Sequence, residues 1–201
     1  MDFFIVLLLI IVFNQIFISS FSRTHSFIDK KLLNYLFLYH LLFFGIYILY
    51  SLTNRTDSLQ YYFTALNIGF EWDFFSTTST HFIENFAAPF VYLGLSYYSM
   101  MLLFSWFGYI GFIYAYLYFK ESIPVNVKVF GKIDLVTLLL FLPNMHFWTN
   151  SFGKGSLIFM GIMIFTYAVK KPKNRIILLI IGGFFVLVFI FKLVLEFEFV
   201  L

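Results

Sequence analysis

PNMHFWTNSFGKGS, residues 143–156, separates two strongly apolar runs of the chain, residues 134–142 and 157–169. It places a helix breaker, a His, a Trp, a Lys and two Gly between segments whose polarity is that of hydrocarbon. Polar backbone at membrane depth is tolerated only where protein or a water-filled cavity satisfies it. Together with the polar connection at residues 57–84, this stretch is therefore the best candidate for a functional site.

The composition is that of a bilayer protein. Of 201 residues, 62% are hydrophobic, 24% are aromatic and 11% are charged, whereas soluble domains carry about 25% charged residues. The absence of Cys excludes disulfides, zinc–thiolate sites and thiol nucleophiles. A net charge of +3 is too small to indicate nucleic acid as a partner. Residues 1–21 lack a positive n-region and a cleavage site, so we expect a retained first span and one integral membrane domain, residues 1–201.

The predicted fold is all-α, a polytopic transmembrane helix bundle with about six spans. Each approaches the roughly 20 apolar residues that a span needs, and they cover residues 3–21, 32–52, 90–119, 134–148, 156–169 and 176–199. The fourth and fifth are short, so they form either a full hairpin or a re-entrant pair.

Basic residues predict the orientation. Ten lie in the first, third and fifth connections: Arg23, Lys30, Lys31, Lys120, Lys128, Lys132, Lys170, Lys171, Lys173 and Arg175. The second connection holds only Arg55 and the fourth only Lys154. We therefore expect a multi-pass membrane protein with the first, third and fifth connections in the cytoplasm and both termini and the two polar connections outside.

The second connection predicts amphipathic helices. Leu59, Tyr62, Phe63 and Leu66 have the i, i+3, i+4, i+7 spacing of one helical face. Such a helix should lie in the outer interface. A second, at about residues 80–86, should end before Pro89.

Asp57 has two interpretations. A carboxylate at the start of an outer helix suits a general base acting on a lipid-linked substrate. Alone, it is more often an N-cap, which contributes about 1 kcal/mol.

His146, Trp148 and Lys154 suggest an anion site. An imidazole and an ammonium near the membrane face suit a diphospholipid, and Ser156 would open a helix whose N–H groups point towards an anion. The alternative is that Trp and His anchor the interface, Lys154 snorkels and the glycines make a turn.

The remaining ionisable residues predict no cofactor and no metal site. Glu71, Asp73, His81 and Glu84 match no standard ligand motif. His40, in the second span, is most simply explained by a hydrogen bond within the bundle. Lys192 and Glu196 have the i, i+4 spacing of a neutralising pair.

Two motifs carry a family resemblance: Asp57-Ser58-x-x-Tyr61-Tyr62-x-x-Ala65 and Pro143-x-x-His146-Phe147-Trp148-x-x-x-x-Gly153-Lys154-x-Ser156. The chain resembles, over residues 35–185, the polymerases and membrane (C-type) glycosyltransferases of bacterial surface-polysaccharide loci. The resemblance implies an undecaprenyl-diphosphate-linked glycan as substrate and a location in the bacterial inner (plasma) membrane. It implies catalytic roles for Asp57 and His146, and substrate binding by Tyr61, Tyr62, Trp148, Lys154 and Ser156. Family members are about twice as long, so we expect a shortened relative. They also usually have an acidic residue at the position of Gly155, where this chain departs from the pattern.

Two other functions stay open. A non-catalytic transmembrane subunit would bind membrane lipid and other membrane subunits through its apolar C-terminal helix. A small transporter would need paired ionisable groups at the bilayer midplane, where the sequence offers only His40 and Lys192.

Overall fold

The computed structural model describes residues 2–71, 79–123, 127–129, 131 and 133–198. These residues form an all-α bundle with a two-residue hairpin, β1 (Lys128–Val129) and β2 (Ile133–Asp134). The helices are α1 (Asp2–Thr24), α2 (Lys30–Thr53), α3 (Asp57–Ile68), α4 (Ser79–Tyr92), α5 (Tyr97–Ser122), α6 (Leu135–Leu140), α7 (Pro143–Trp148), α8 (Lys154–Val169) and α9 (Ile176–Glu198).

In the described part of the chain, three helices, α1, α2 and α5, are long and apolar enough to cross a membrane. The other apolar stretches, Leu135–Trp148, Lys154–Val169 and Ile176–Phe189, are shorter. At 1.5 Å per residue, the 16 residues of α8 reach about 24 Å, less than the roughly 30 Å of a bilayer core. The prediction of an all-α fold is confirmed, and the three candidate spans are consistent with a membrane protein, whereas six full spans are not confirmed.

Helix α5 is the centre of the bundle. Of an 18-residue apolar stretch of α5, 83% is buried inside the bundle, whereas the corresponding stretch of α1 is 17% buried. The outward side chains of α1 are large and apolar, for example Phe4 and Leu8. An apolar exposed surface of this kind is what contact with lipid requires.

A broken helix, formed by α6 and α7 with an interruption at residues 141–142, connects the two ends of the bundle. α6 starts beside Lys120, whose Nζ lies 2.9 Å from Asp134 Oδ2. Pro143 begins α7, and the break frees the carbonyls of Leu140 and Phe141. His146 Nε2 donates to the first at 2.7 Å and Tyr39 Oη to the second at 3.3 Å. Side chains therefore satisfy the freed backbone, as a membrane interior demands.

The first, third and fifth connections meet at one end of the bundle. Glu121 joins them, because its carboxylate lies 2.6 Å from Arg175 Nη2 and 3.6 Å from His25 Nε2. At the opposite end, Asp2 Oδ2 accepts hydrogen bonds from Ser96 N at 2.8 Å and Ser99 Oγ at 2.6 Å. This arrangement agrees with the prediction that the first, third and fifth connections lie on the same side.

The prediction for the second connection was right that both α3 and α4 are helices, and wrong about where α4 ends. In α3, Leu59, Phe63 and Leu66 face away from the bundle and are about half exposed, at 47%, 54% and 53%. α4 instead continues through Pro89 to Tyr92. It belongs to the core, because Phe82 is buried against Phe184, Phe185 and Phe189 of α9.

The predicted span at residues 90–119 begins later than expected, at Tyr97. Gly94 adopts a positive φ of 93°. This turn lets Leu95 N donate back to Phe90 O, which ends α4. A separate helix, α5, can then start in a new direction.

Candidate functional site

An open cavity of about 370 Å³ lies at the end of the bundle that holds Asp57. The connection from α2 to α3 and the loop from α7 to α8 form its walls. Four of the predicted site residues line it: Asp57, Tyr61, Trp148 and Lys154. The two motifs, about ninety positions apart in the sequence, therefore face one cavity.

Hydrogen bonds at the start of α3 position Asp57. Thr56 is the N-cap residue, and its hydroxyl pairs with Ser58 Oγ at 2.8 Å. Ser58 Oγ in turn lies 2.7 Å from Tyr97 Oη at the start of α5. Asp57 is the first residue of α3 and not its cap, so its carboxylate is exposed to the cavity. A negative charge in the first turn also interacts favourably with the helix dipole.

Packing and hydrogen bonds hold the loop that carries Lys154. Phe152 is buried, with its ring centroid 4.6 Å from that of Phe104 and 6.2 Å from that of Tyr61. Ser156 Oγ donates to Ser151 O at 2.5 Å. Because this loop is fixed at both ends, Lys154 begins α8 at the cavity wall.

Gly155 is required by a close backbone approach. A Cβ at this position would lie 2.6 Å from Trp148 O, so a larger residue needs the loop to shift. An acidic residue at this position therefore does not fit this backbone.

The electrostatics of the cavity favour an anion. Arg55 and Lys154 both line it, with Asp57 as the opposing charge. Within the described residues, neither cation forms an ion pair. Tyr61 stays neutral, because burial and the nearby Asp57 charge raise its pKa to about 12. Its Oη donates to Asp57 Oδ2 at 3.4 Å, so the phenol orients the carboxylate.

His146, predicted as a catalytic residue, lies in a different part of the structure. Its side chain is fully buried. The ring stacks on Phe112, with centroids 4.0 Å apart and planes 2° from parallel. Its Nδ1 lies 2.8 Å from His40 Nδ1. In this arrangement His146 contacts the broken helix and α2, away from Asp57.

The side chains of two predicted substrate-binding residues also lie outside the cavity and contact other parts of the protein. Tyr62 Oη donates to Leu95 O at 3.2 Å and its ring packs against Tyr97. Ser156 is fully buried and closes its own loop. Both support the walls, so a ligand in the cavity would meet neither side chain directly.

Sequence reasoning missed Arg55, Tyr47 and Tyr50, which also line the cavity. The signal for Arg55 was present, since it is the lone basic residue of the second connection. Tyr47 and Tyr50 are three residues apart near the end of α2, so one helical face presents both. A second cavity of about 760 Å³ adjoins the first, and residues 55–57 line both.

The acidic cluster considered as a metal site offers no set of three ligands among the described residues. His81 Nδ1 and Glu84 Oε2 form an i, i+3 pair at 3.0 Å. Asp73 lies outside the described residues. So do the side chains of Lys192 and Glu196.

No protein-family model, no curated protein and no solved structure matches the chain. The cavity and its contacts are therefore the basis for any functional assignment.

Proposed function

We propose that this chain is an integral membrane protein of surface-glycan assembly that binds a lipid-diphosphate-linked glycan in the cavity between Asp57 and Lys154. It would act there as a polymerase or glycosyltransferase. One observation carries the proposal: Arg55 and Lys154, on separate segments, line the same cavity as an exposed carboxylate and an exposed aromatic side chain, Trp148.

The chemistry of the cavity fits a diphosphate. Arg offers a planar fork of donors to phosphate oxygens and Lys a point charge. Lys154 also stands at the N-terminus of α8, where free backbone N–H groups favour an anion. Trp148, Tyr47 and Tyr50 provide apolar faces beside these charges for a sugar ring.

Asp57 would serve as the general base. The hydroxyl of an acceptor sugar attacks the anomeric carbon of the donor, and its proton passes to the Asp57 carboxylate. The bond from the anomeric carbon to the diphosphate oxygen breaks, and the lipid diphosphate leaves with the electron pair. Arg55 and Lys154 would stabilise the charge that develops on this leaving group.

The charge distribution supports a location of this site at the outer face of the inner membrane. The basic residues of connections one, three and five that the structure describes belong to the end opposite the cavity. Each basic residue near an anionic inner leaflet gains about 1 kcal/mol. Both chain ends would then lie outside the cytoplasm.

Cysteine labelling tests this orientation, because the chain has no native Cys. Asn54→Cys and Asn174→Cys are exposed positions at opposite ends. We expect an impermeant maleimide to label Asn54→Cys in intact cells and Asn174→Cys only after lysis. Labelling of Asn174→Cys from outside would place the cavity in the cytoplasm and contradict the proposed location.

Binding measurements test the site itself. We expect Arg55→Ala and Lys154→Ala each to weaken binding of an undecaprenyl-diphosphate-linked sugar about tenfold to a hundredfold, because a hydrogen bond to a charged group contributes about 1.5–3 kcal/mol. The measurement is equilibrium binding to the purified protein in nanodiscs. Lys173→Ala is the matched control, since it removes an exposed cation at the opposite end. Equal effects of all three variants on binding would contradict the assignment of the binding site to this cavity.

The alternative, a non-catalytic subunit, is favoured by the burial of His146, which leaves Asp57 without the second catalytic residue that the resemblance implied. Asp57→Asn separates the two functions. An enzyme should keep glycolipid binding and lose chain extension in a complemented deletion strain. Unchanged glycan length with Asp57→Asn would instead support the subunit, as would a stoichiometric membrane partner that copurifies in detergent.

A further inference from the structure

A buried pair of histidines joins α2 to the broken helix. His40 and His146 are both fully buried, and their Nδ1 atoms lie 2.8 Å apart. His40 is close to the middle of α2, a helix long and apolar enough to span a membrane. Ionisable groups at such depth are costly and usually functional. The proposed glycan site makes no use of this pair.

The Nε2 atoms, on the far side of each ring from the Nδ1 contact, determine how many protons the pair holds. His40 Nε2 lies 2.9 Å from Ser105 O, and His146 Nε2 lies 2.7 Å from Leu140 O. A carbonyl oxygen only accepts hydrogen bonds, so both Nε2 atoms carry a proton. In two neutral rings, both Nδ1 atoms would then be lone-pair acceptors. The 2.8 Å contact between two acceptors requires one further proton between them.

Asn150 does not supply that proton. Its Nδ2 atom lies 3.4 Å from His40 Nδ1, but its shorter contacts are the hydrogen bonds that it donates to His40 O at 3.1 Å and to His146 O at 2.6 Å. These two bonds use both amide hydrogens. Its Oδ1 atom accepts from Ser105 Oγ. The side chain is therefore fully engaged, and the gap between the Nδ1 atoms remains to be filled by a proton.

The surroundings can hold a positive charge without a carboxylate. Phe112 stacks on His146, and an aromatic face attracts a cation. The carbonyl oxygens of Ser105 and Leu140 accept hydrogen bonds from the Nε2–H groups of His40 and His146, respectively. The titratable groups that face the rings are Tyr39, from α2, and Tyr109, from α5, with ring centroids 4.8 Å from His146 and 6.0 Å from His40. Among the described residues, the only charge that acts on either ring is that of the other histidine.

We propose that His40 and His146 form a proton-binding site at mid-membrane depth, which holds one proton between their Nδ1 atoms. The proton is bound at lower pH and released as pH rises. Its loss leaves two lone pairs facing each other and weakens the contact between α2 and α7. Because Asn150 bonds both histidine carbonyls and precedes the loop of Lys154, proton release also loosens the wall of the cavity.

Nitrogen-15 solid-state NMR of the histidine-labelled protein in lipid bilayers tests this proton count. We expect both rings of the pair to show a protonated Nε2 at every pH between about 5 and 8, the range in which imidazole ordinarily titrates. At the lower end, the two Nδ1 nuclei should share one proton and show a scalar coupling across the N–H–N hydrogen bond. On raising the pH, that coupling should vanish from both rings at one common midpoint.

His25 and His81 provide reference rings in the same sample, since the ring nitrogens of both contact groups other than histidine. A ring of the pair with an unprotonated Nε2 would overturn the proposal, as would two separate midpoints or no coupling at any pH. His146→Phe provides a second arm. In this variant, His40 should keep its Nε2 proton and show no N–N coupling. A coupling that persists would assign the signal to other residues.

Discussion

Gly108→Val is expected to destabilise the folded protein by about 3 kcal/mol or more. Gly108 lies on the buried face of α5, and a Cβ built there would lie well inside the van der Waals contact distance of Thr149 O. The obstacle is backbone, so no side-chain rotation relieves it. Overpacking of this kind typically costs 1–3 kcal/mol and more where the backbone must move. The free energy of unfolding in detergent micelles, from denaturant titration, measures the effect.

Gly45→Val is the matched control for this substitution. Gly45 is also helical, but nothing lies within 4 Å of a Cβ built on it. Val is a better helix residue than Gly by a few tenths of a kcal/mol, so we expect stability to be unchanged or slightly higher. If the two substitutions had equal effects, the close approach of α5 to the loop after α7 would not be needed for stability.

Much of the architecture could be predicted because lipid imposes simple rules. The apolar runs predicted the three helices that are long and apolar enough to cross a membrane, and the basic residues predicted which connections share an end. The spacing of Leu59, Phe63 and Leu66 predicted a helix over the start of the second connection, and α3 covers Asp57–Ile68. These signals are local, and each is read from neighbouring residues.

The placement of His146 could not be predicted in the same way. Local sequence indicates a polar loop near the membrane face, and Trp148, two residues on, does line the cavity. The position of His146 is decided by long-range contacts, with His40 at 106 positions away and with Phe112. The break at Pro143 turns its ring inwards to the free carbonyl of Leu140. No pattern within a single segment encodes such a contact.

The extent of α4 was also hidden from local reasoning. Pro89 usually marks a helix end, because it lacks an N–H and crowds the preceding turn. α4 nevertheless continues to Tyr92. Burial of Phe82, Ala87 and Ala88 against neighbouring helices stabilises it, and tertiary packing here outweighs the local preference.

The second large effect is expected at Glu121. Its side chain is 9% exposed and lies 2.6 Å from Arg175 Nη2, whose side chain is 10% exposed. Arg175 also donates to Tyr167 O at 2.7 Å, with its guanidinium 3.5 Å from the ring centroid of Tyr167. Glu121→Ala leaves this cation buried without a carboxylate. We expect a loss of about 3–5 kcal/mol in the free energy of unfolding, the usual result of breaking a buried pair by removing one partner.

Lys171→Ala separates the effect of the buried pair from that of surface charge. Lys171 is 56% exposed and its Nζ lies 3.7 Å from Glu121, so its removal should change stability by less than about 1 kcal/mol. The double variant Glu121→Leu with Arg175→Leu is the sharper arm. Replacing a whole buried pair by apolar residues is often neutral, so the double variant should be more stable than Glu121→Ala alone. If it were less stable, the ion pair itself would be what holds α5, α8 and α9 together at this end of the bundle, and the penalty could not be assigned to an unpaired arginine.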